Sequence, residues 1–154
     1  MQDSTAISVR YAVTDDLAAI KTIAGANRRE LGFLPISKLT DAVDRHHLLV
    51  AETVEGVIGF VVYRHRKTDS QTTLYDICVC QKWRQQGAGR KLLQTLQMEC
   101  IDFRRSILQL KCPEDLAANT FYNHMGFTCV ETEQGKARKL NIWQKEIVRK
   151  PKSP

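Results

Sequence analysis

The chain has 154 residues, of which 43% are hydrophobic and 26% charged, and a net charge of +6. That length buries one core and not two, so a single domain over residues 1–148 is expected, with a flexible basic C-terminal tail at 149–154. No segment approaches the roughly 20 apolar residues of a membrane-spanning helix, and Met1-Gln2-Asp3-Ser4 lacks the basic flank and apolar run of a secretory leader.

Residues 7–13 alternate apolar and polar side chains, which is the period of a strand. Thr14 offers an N-cap, and Asp15 and Asp16 stand where a helix dipole favours negative charge. Leu17, Ile20, Ile23 and Ala24 continue at helical spacing towards a stop at Gly32. A second short helix starting near Ser37 carries Leu39 and Val43. Residues 47–54 and 57–66 read as strands around the hairpin pair Glu55-Gly56, and a third strand runs from about 72 to 80 after a polar turn at 67–71.

From Gly87 the period becomes that of a helix, with Leu93, Leu96, Cys100 and Phe103 on one face. Residues 106–111 form a strand, 114–125 a helix stopped by Gly126, 127–133 a strand and 139–148 the last strand. The expected class is therefore α/β (α+β): a mixed, mostly antiparallel central sheet of six to seven strands flanked by about four helices. The five cysteines are an odd number without a CxxC pair. They read as reduced small hydrophobic residues of a cytoplasmic protein, and no metal is expected. The basic clusters at Arg64/Arg66/Lys67, Arg104/Arg105 and Lys136/Arg138/Lys139 are scattered, as on a solvated face.

Chemistry concentrates between Asp76 and Arg90. There a strand runs into a loop holding Gly87 and Gly89 and then directly into an amphipathic helix. Such a junction leaves the N–H groups of the first helical turn unpaired and aligned, and glycine lets a ligand approach the backbone, so phosphate oxygens suit it. A Walker loop would need Lys-Ser or Lys-Thr where Arg90-Lys91 stands, and a dinucleotide fingerprint needs a third small residue where Leu92 stands.

Arg84-Gln85-Gln86-Gly87-Ala88-Gly89 resembles the Arg/Gln-x-x-Gly-x-Gly/Ala loop of the GNAT N-acetyltransferases. About thirty residues on, Asp115 to Phe127 is similar to that family's later motif, a helix ending in an aromatic pair (Phe121-Tyr122) and then Gly126-Phe127. The chain departs from the pattern in two places. Gln81 stands where the family often has proline, and Asp115 where its helix often starts with asparagine, with Asn119 one turn later.

The resemblance implies acetyl-CoA as acetyl donor. It places the pyrophosphate on the loop formed by Arg84, Gln85, Gln86, Gly87, Ala88, Gly89 and Arg90, and the pantetheine arm along the backbone of Cys78 and Val79. Further coenzyme contacts are expected from Asn119 and Tyr122. The reaction it implies is direct attack of an amine on the thioester, with Tyr122 protonating the leaving thiolate. An amine also needs a group to take its proton. Asp76, on the strand leading to the loop, is the first candidate base, ahead of Glu52 and His65. An acyl-cysteine route through Cys78 or Cys80 is disfavoured, since direct transfer is usual in the family.

Residues 27–35 are expected to shape the acceptor site. The acceptor stays open among a primary amine on a small molecule, peptide or protein. An aminoacyl-tRNA is the alternative that would use the basic charge, and a module that binds acetyl-CoA without turnover is the non-enzymatic one. Members of the family often dimerise, so a homodimer stays open; no membrane partner is expected, and nucleic acid only in the tRNA alternative.

Overall fold

The computed structural model describes residues 6–148; the predicted tail at 149–154 and the extreme N-terminus lie outside the described residues. Among the described residues, seven strands and five helices make up a mixed α/β fold whose strands are mostly antiparallel. By contact density the chain divides into two units. One runs to Arg64 and resumes over Leu74–Leu96; the other comprises His65–Thr73 and the chain from Gln97.

The first unit opens with β1 (Ser8–Tyr11) and a single 3-10 turn at Thr14–Asp16. Capping at this turn differs from the expected Thr14 cap: the Asp16 carboxylate accepts the Val13 N–H at 2.8 Å. Helix α1 (Leu17–Ala26) then stops, and a single turn, α2 (Arg28–Leu31), follows. One continuous helix had been expected up to Gly32. The break falls at Asn27, whose side-chain Nδ2 donates to the Ile23 carbonyl at 2.8 Å. A side-chain amide competing for a helical carbonyl in this way ends the regular ladder. With α3 (Ile36–Asp44), α4 (Ala88–Asp102) and α5 (Ala118–His124), this break makes five helices where about four were expected.

Strands β2 (Leu48–Thr53), β3 (Gly56–His65) and β4 (Gln71–Val79) follow β1 in spatial order. Alternation along the strands puts Leu48 and Val50, Phe60 and Val62, and Cys78 into one apolar cluster. Ile20, Ile23 and Ala24 of α1, Leu39 and Ala42 of α3, and the loop residues Ala12 and Leu34 join it. Ala51 pairs with Gly59 and Glu52 with Val57, so Ile58 is one residue too many on β3, a β-bulge. The Ile58 carbonyl accepts the Cys80 N–H at 2.7 Å. At Gly59 a Cβ would lie 2.9 Å from the Cys78 carbonyl oxygen, so only glycine lets β3 approach β4 this closely.

In the second unit β5 (Ile107–Pro113), β7 (Lys139–Glu146) and β6 (Thr128–Gln134) lie in that spatial order, β7 antiparallel to both neighbours. Helix α5 is shorter than the expected 114–125. The residues before it are held as turns by the side chain of Asn119, whose Nδ2 donates to the carbonyls of Pro113 and Leu116, each at 2.8 Å.

Candidate active site

Strand β4 ends at Val79, and a 3-10 turn over Gln81–Trp83 leads into the glycine loop. Two residues of that loop take positive φ, Gln85 at 63° and Gly87 at 91°. A non-glycine residue in that region is uncommon and points to a backbone shaped by something other than local preference. At Gly87 a Cβ would meet no heavy atom within 4 Å, so the backbone conformation, not crowding, calls for glycine there. The Gly87 carbonyl accepts the Lys91 N–H at 3.0 Å and closes the first turn of α4. The N–H groups of that turn, at Ala88, Gly89 and Arg90, have no carbonyl one turn earlier in the helix. A helix end of this kind carries about half a positive charge. Its chemistry is that of an anion site.

Arg84, the first residue of the loop motif, is partly buried. Its Nε donates to the Val79 carbonyl at 3.0 Å and an Nη donates to Asn27 Oδ1 at 2.6 Å. Glu30 lies 3.4 Å from the same guanidinium. Gln86 is exposed and donates to the Lys82 carbonyl at 3.3 Å.

Asp76 lies on β4 two residues before Cys78, and its side chain is only 13% exposed. Lys38 of α3 places Nζ 3.7 Å from Asp76 Oδ2 and 4.6 Å from the centre of the Tyr75 ring. Burial pushes the Asp76 carboxyl above the ordinary carboxylate range, and the Lys38 ammonium pulls it partly back. Burial likewise pushes the Cys78 thiol up to about 11.

The other two candidate bases are held in ion pairs or hydrogen bonds. Glu52 takes Arg10 Nε at 2.9 Å and Nη2 at 3.1 Å. His65 belongs to the second unit, where its Nδ1 is 2.7 Å from Thr72 Oγ1 and its Nε2 is 2.7 Å from Glu99 Oε2.

Asn119 and Tyr122 are also in the second unit. Besides the carbonyls already named, Asn119 accepts at Oδ1 from Trp143 Nε1 at 2.9 Å and from Asn141 Nδ2 at 3.1 Å. Its amide is thus a joint between the start of α5 and β7. Tyr122 is 6% exposed, with its ring centre 5.6 Å from that of Phe121 and 5.9 Å from that of Phe127.

Three residues that bear on the site were not singled out from the sequence: Lys38, Gly59 and, as an individual residue, Asn27. Gly59 carried a readable signal, a lone glycine inside an apolar strand. Lys38 and Asn27 carried none, because their partners Asp76 and Arg84 are remote in the chain.

Residues 44–129, more than half of the chain, match the family model described as an acetyltransferase (GNAT) domain. The chain therefore belongs to the GNAT acetyltransferase family and is an acyltransferase. Solved structures share its fold. Ard1 from Thermoplasma volcanium superposes with a TM-score of 0.83 at 16% identity, covering 93% of this chain and 99% of that one. The ribosomal-protein-S18-alanine N-acetyltransferase from Escherichia coli gives 0.79 at 18% identity, over 97% and 99% of the two chains. The yncA protein from Salmonella typhimurium, solved with its cofactor acetyl-CoA, gives 0.76 at 19% identity, over 97% and 98%. At such identities the likeness concerns the fold alone. No curated protein matches the sequence. Among the described residues no helix is long and apolar enough to cross a membrane.

Proposed function

We propose that residues 1–148 act together as one N-acetyltransferase domain that moves an acetyl group from acetyl-CoA to a primary amine by direct attack. The amine nitrogen bonds to the thioester carbonyl carbon, the C–S bond breaks, and the coenzyme leaves as a thiol. Asp76 takes the proton that the attacking amine sheds, and Tyr122 returns a proton to the leaving thiolate. The backbone of Cys78 and Val79 carries the pantetheine arm, and the loop that Arg84 opens carries the pyrophosphate between Gln85 and Arg90. Asn119 serves by fixing the turn into α5, on which Tyr122 sits. Residues 27–35 shape the acceptor side.

The observation that carries the reading is the placement of Asp76. It is a largely buried carboxylate, raised above its ordinary pKa, on the strand that ends in the glycine loop. A carboxylate so raised is a stronger base than one in water, and its pKa lies nearer the operating pH. Cys78 supports direct transfer over an acyl-cysteine route. With its thiol at about 11 almost none of it is thiolate near neutral pH, and the thiolate is the nucleophile.

Thermal denaturation with and without acetyl-CoA, beside a Gly87→Glu variant, tests the coenzyme site. A ligand at about a hundred times its Kd stabilises the folded state by about 2.7 kcal/mol. The parent should gain that stabilisation, and the variant, with a carboxylate set against the phosphates, should not. If saturating acetyl-CoA moves neither melting curve, the reading fails.

A further inference from the structure

A cation at the head of a phosphate-binding loop invites the assignment that it neutralises phosphate. The hydrogen bonds of Arg84 run instead towards the end of β4 and the corner between α1 and α2. Its Nε donates to the Val79 carbonyl at 3.0 Å, the last residue of the strand. Its Nη2 donates to Asn27 Oδ1 at 2.6 Å, across 57 residues of sequence.

Asn27 is built to receive it. The residue closes α1, with its N–H on the Ala24 carbonyl at 3.1 Å, and its Nδ2 donates to the Ile23 carbonyl at 2.8 Å. Its own carbonyl accepts the N–H groups of Glu30 and Leu31, each at 3.1 Å, so the residue is fixed from both sides. With Nδ2 committed to the helix, Oδ1 is left facing the guanidinium. Glu30, 3.4 Å away and about half exposed, adds little, because solvent screens such a pair. The Asn27 bond is shorter, part-buried and charge-assisted, and so is the stronger restraint.

We infer that Arg84 is a positioning residue rather than a phosphate ligand: with Asn27 it clamps the end of β4 at Val79 and so sets the strand edge on which the pantetheine arm lies. The inference rests on the coenzyme-site reading above. It makes Asn27, which touches no coenzyme in that reading, a determinant of coenzyme affinity.

Titration calorimetry with acetyl-CoA, well below the melting temperature of every variant, separates the two roles. Arg84→Gln should bind about tenfold more weakly, the fold-change expected when a charge-assisted hydrogen bond is lost. Asn27→Ala should lose about the same factor, and the double variant should be no weaker than Arg84→Gln alone, since the two residues act as one unit. A role in folding alone would lower melting temperatures and leave these constants in place.

A different pattern overturns the clamp. If Asn27→Ala binds acetyl-CoA as well as the parent or better while Arg84→Gln is weakened, the freed guanidinium is a phosphate ligand. Unchanged binding by Arg84→Gln also sinks it. Failure of the underlying reading looks different again: the parent does not bind acetyl-CoA, or Gly87→Glu binds it equally well.

Discussion

Two aspartates of the first unit, Asp16 at the turn after β1 and Asp76 within β4, are each set against a cation, yet the fold moves their pKa values in opposite directions. Arg10 grips Asp16 with two parallel bonds, Nη1 to Oδ2 at 2.8 Å and Nη2 to Oδ1 at 3.0 Å, and holds its carboxyl below the ordinary range despite burial. The same guanidinium reaches Glu52 at 2.9 Å. At Asp76 burial dominates, and Lys38, a single ammonium at 3.7 Å that also faces the Tyr75 ring, offsets only part of it. The difference lies in the cation. A planar guanidinium matches a carboxylate with two short bonds, whereas a point charge on a flexible stem, half exposed to solvent, does not. One corner of the unit is thus locked as an ion pair, and the other is left able to take a proton.

The comparison breaks most sharply at Asp76→Asn. Removing the proposed base should cost about a hundredfold to ten-thousandfold in kcat with whichever amine an acceptor screen yields. Stability should not fall with it. A carboxyl whose folded pKa is raised contributes stability below its unfolded pKa and loses that contribution as pH rises through the folded value. At neutral pH its charge is therefore a cost that the neutral amide does not carry. Turnover within about threefold of the parent would mean that the base lies elsewhere.

Asp16→Asn should do the reverse. Losing the bidentate bond is expected to cost about 2 kcal/mol of stability, moderated by the exposure of Arg10, while acetyl-CoA affinity of the folded protein stays at the parental value. Its pH dependence carries the opposite sign to that of Asp76. The stability supplied by a depressed carboxyl is present above its unfolded pKa and is lost as pH falls through the folded one. Urea denaturation across the acid range should therefore show a shallower loss for Asp16→Asn than for the parent. Equal slopes would show that Arg10 does not hold Asp16 in the way the geometry describes.

The features legible in the sequence are those set by local backbone chemistry. The strand–glycine–helix junction at residues 76–90 could be read because positive φ at a turn is written as glycine at position 87, and strands could be read where residues alternate, as at 7–13, or where apolar runs flank the hairpin pair Glu55-Gly56. The features not legible depend on a side chain finding a distant or competing partner. The split between α1 and α2 turns on the Asn27 amide preferring the Ile23 carbonyl, and the short α5 turns on Asn119 gathering carbonyls from the preceding turn. Likewise Lys38 reads as an ordinary exposed helix residue until the fold sets it beside Asp76. Motif and resemblance located the loop, but which groups restrain Asp76 and Arg84 is long-range information.

The finest test is Lys38→Gln, which leaves the proposed base Asp76 in place and removes the charge that restrains it. The Lys38 ammonium lowers the Asp76 pKa against the dominant effect of burial, so its loss must raise that pKa further. Below its pKa Asp76 is protonated and cannot accept a proton from the amine. The acid limb of the kcat/KM profile should therefore move to higher pH in the variant, while the plateau on its alkaline side is retained. Stability should change by no more than about 0.5 kcal/mol, because the Lys38 side chain is 44% exposed and its contacts with Asp76 and the Tyr75 ring are screened. A limb that moves without a change in melting temperature identifies Lys38 as an electrostatic partner of the base. A limb that stays in place while Asp76→Asn is inactive would show that Lys38 is spent on the Tyr75 ring and that burial alone sets the base.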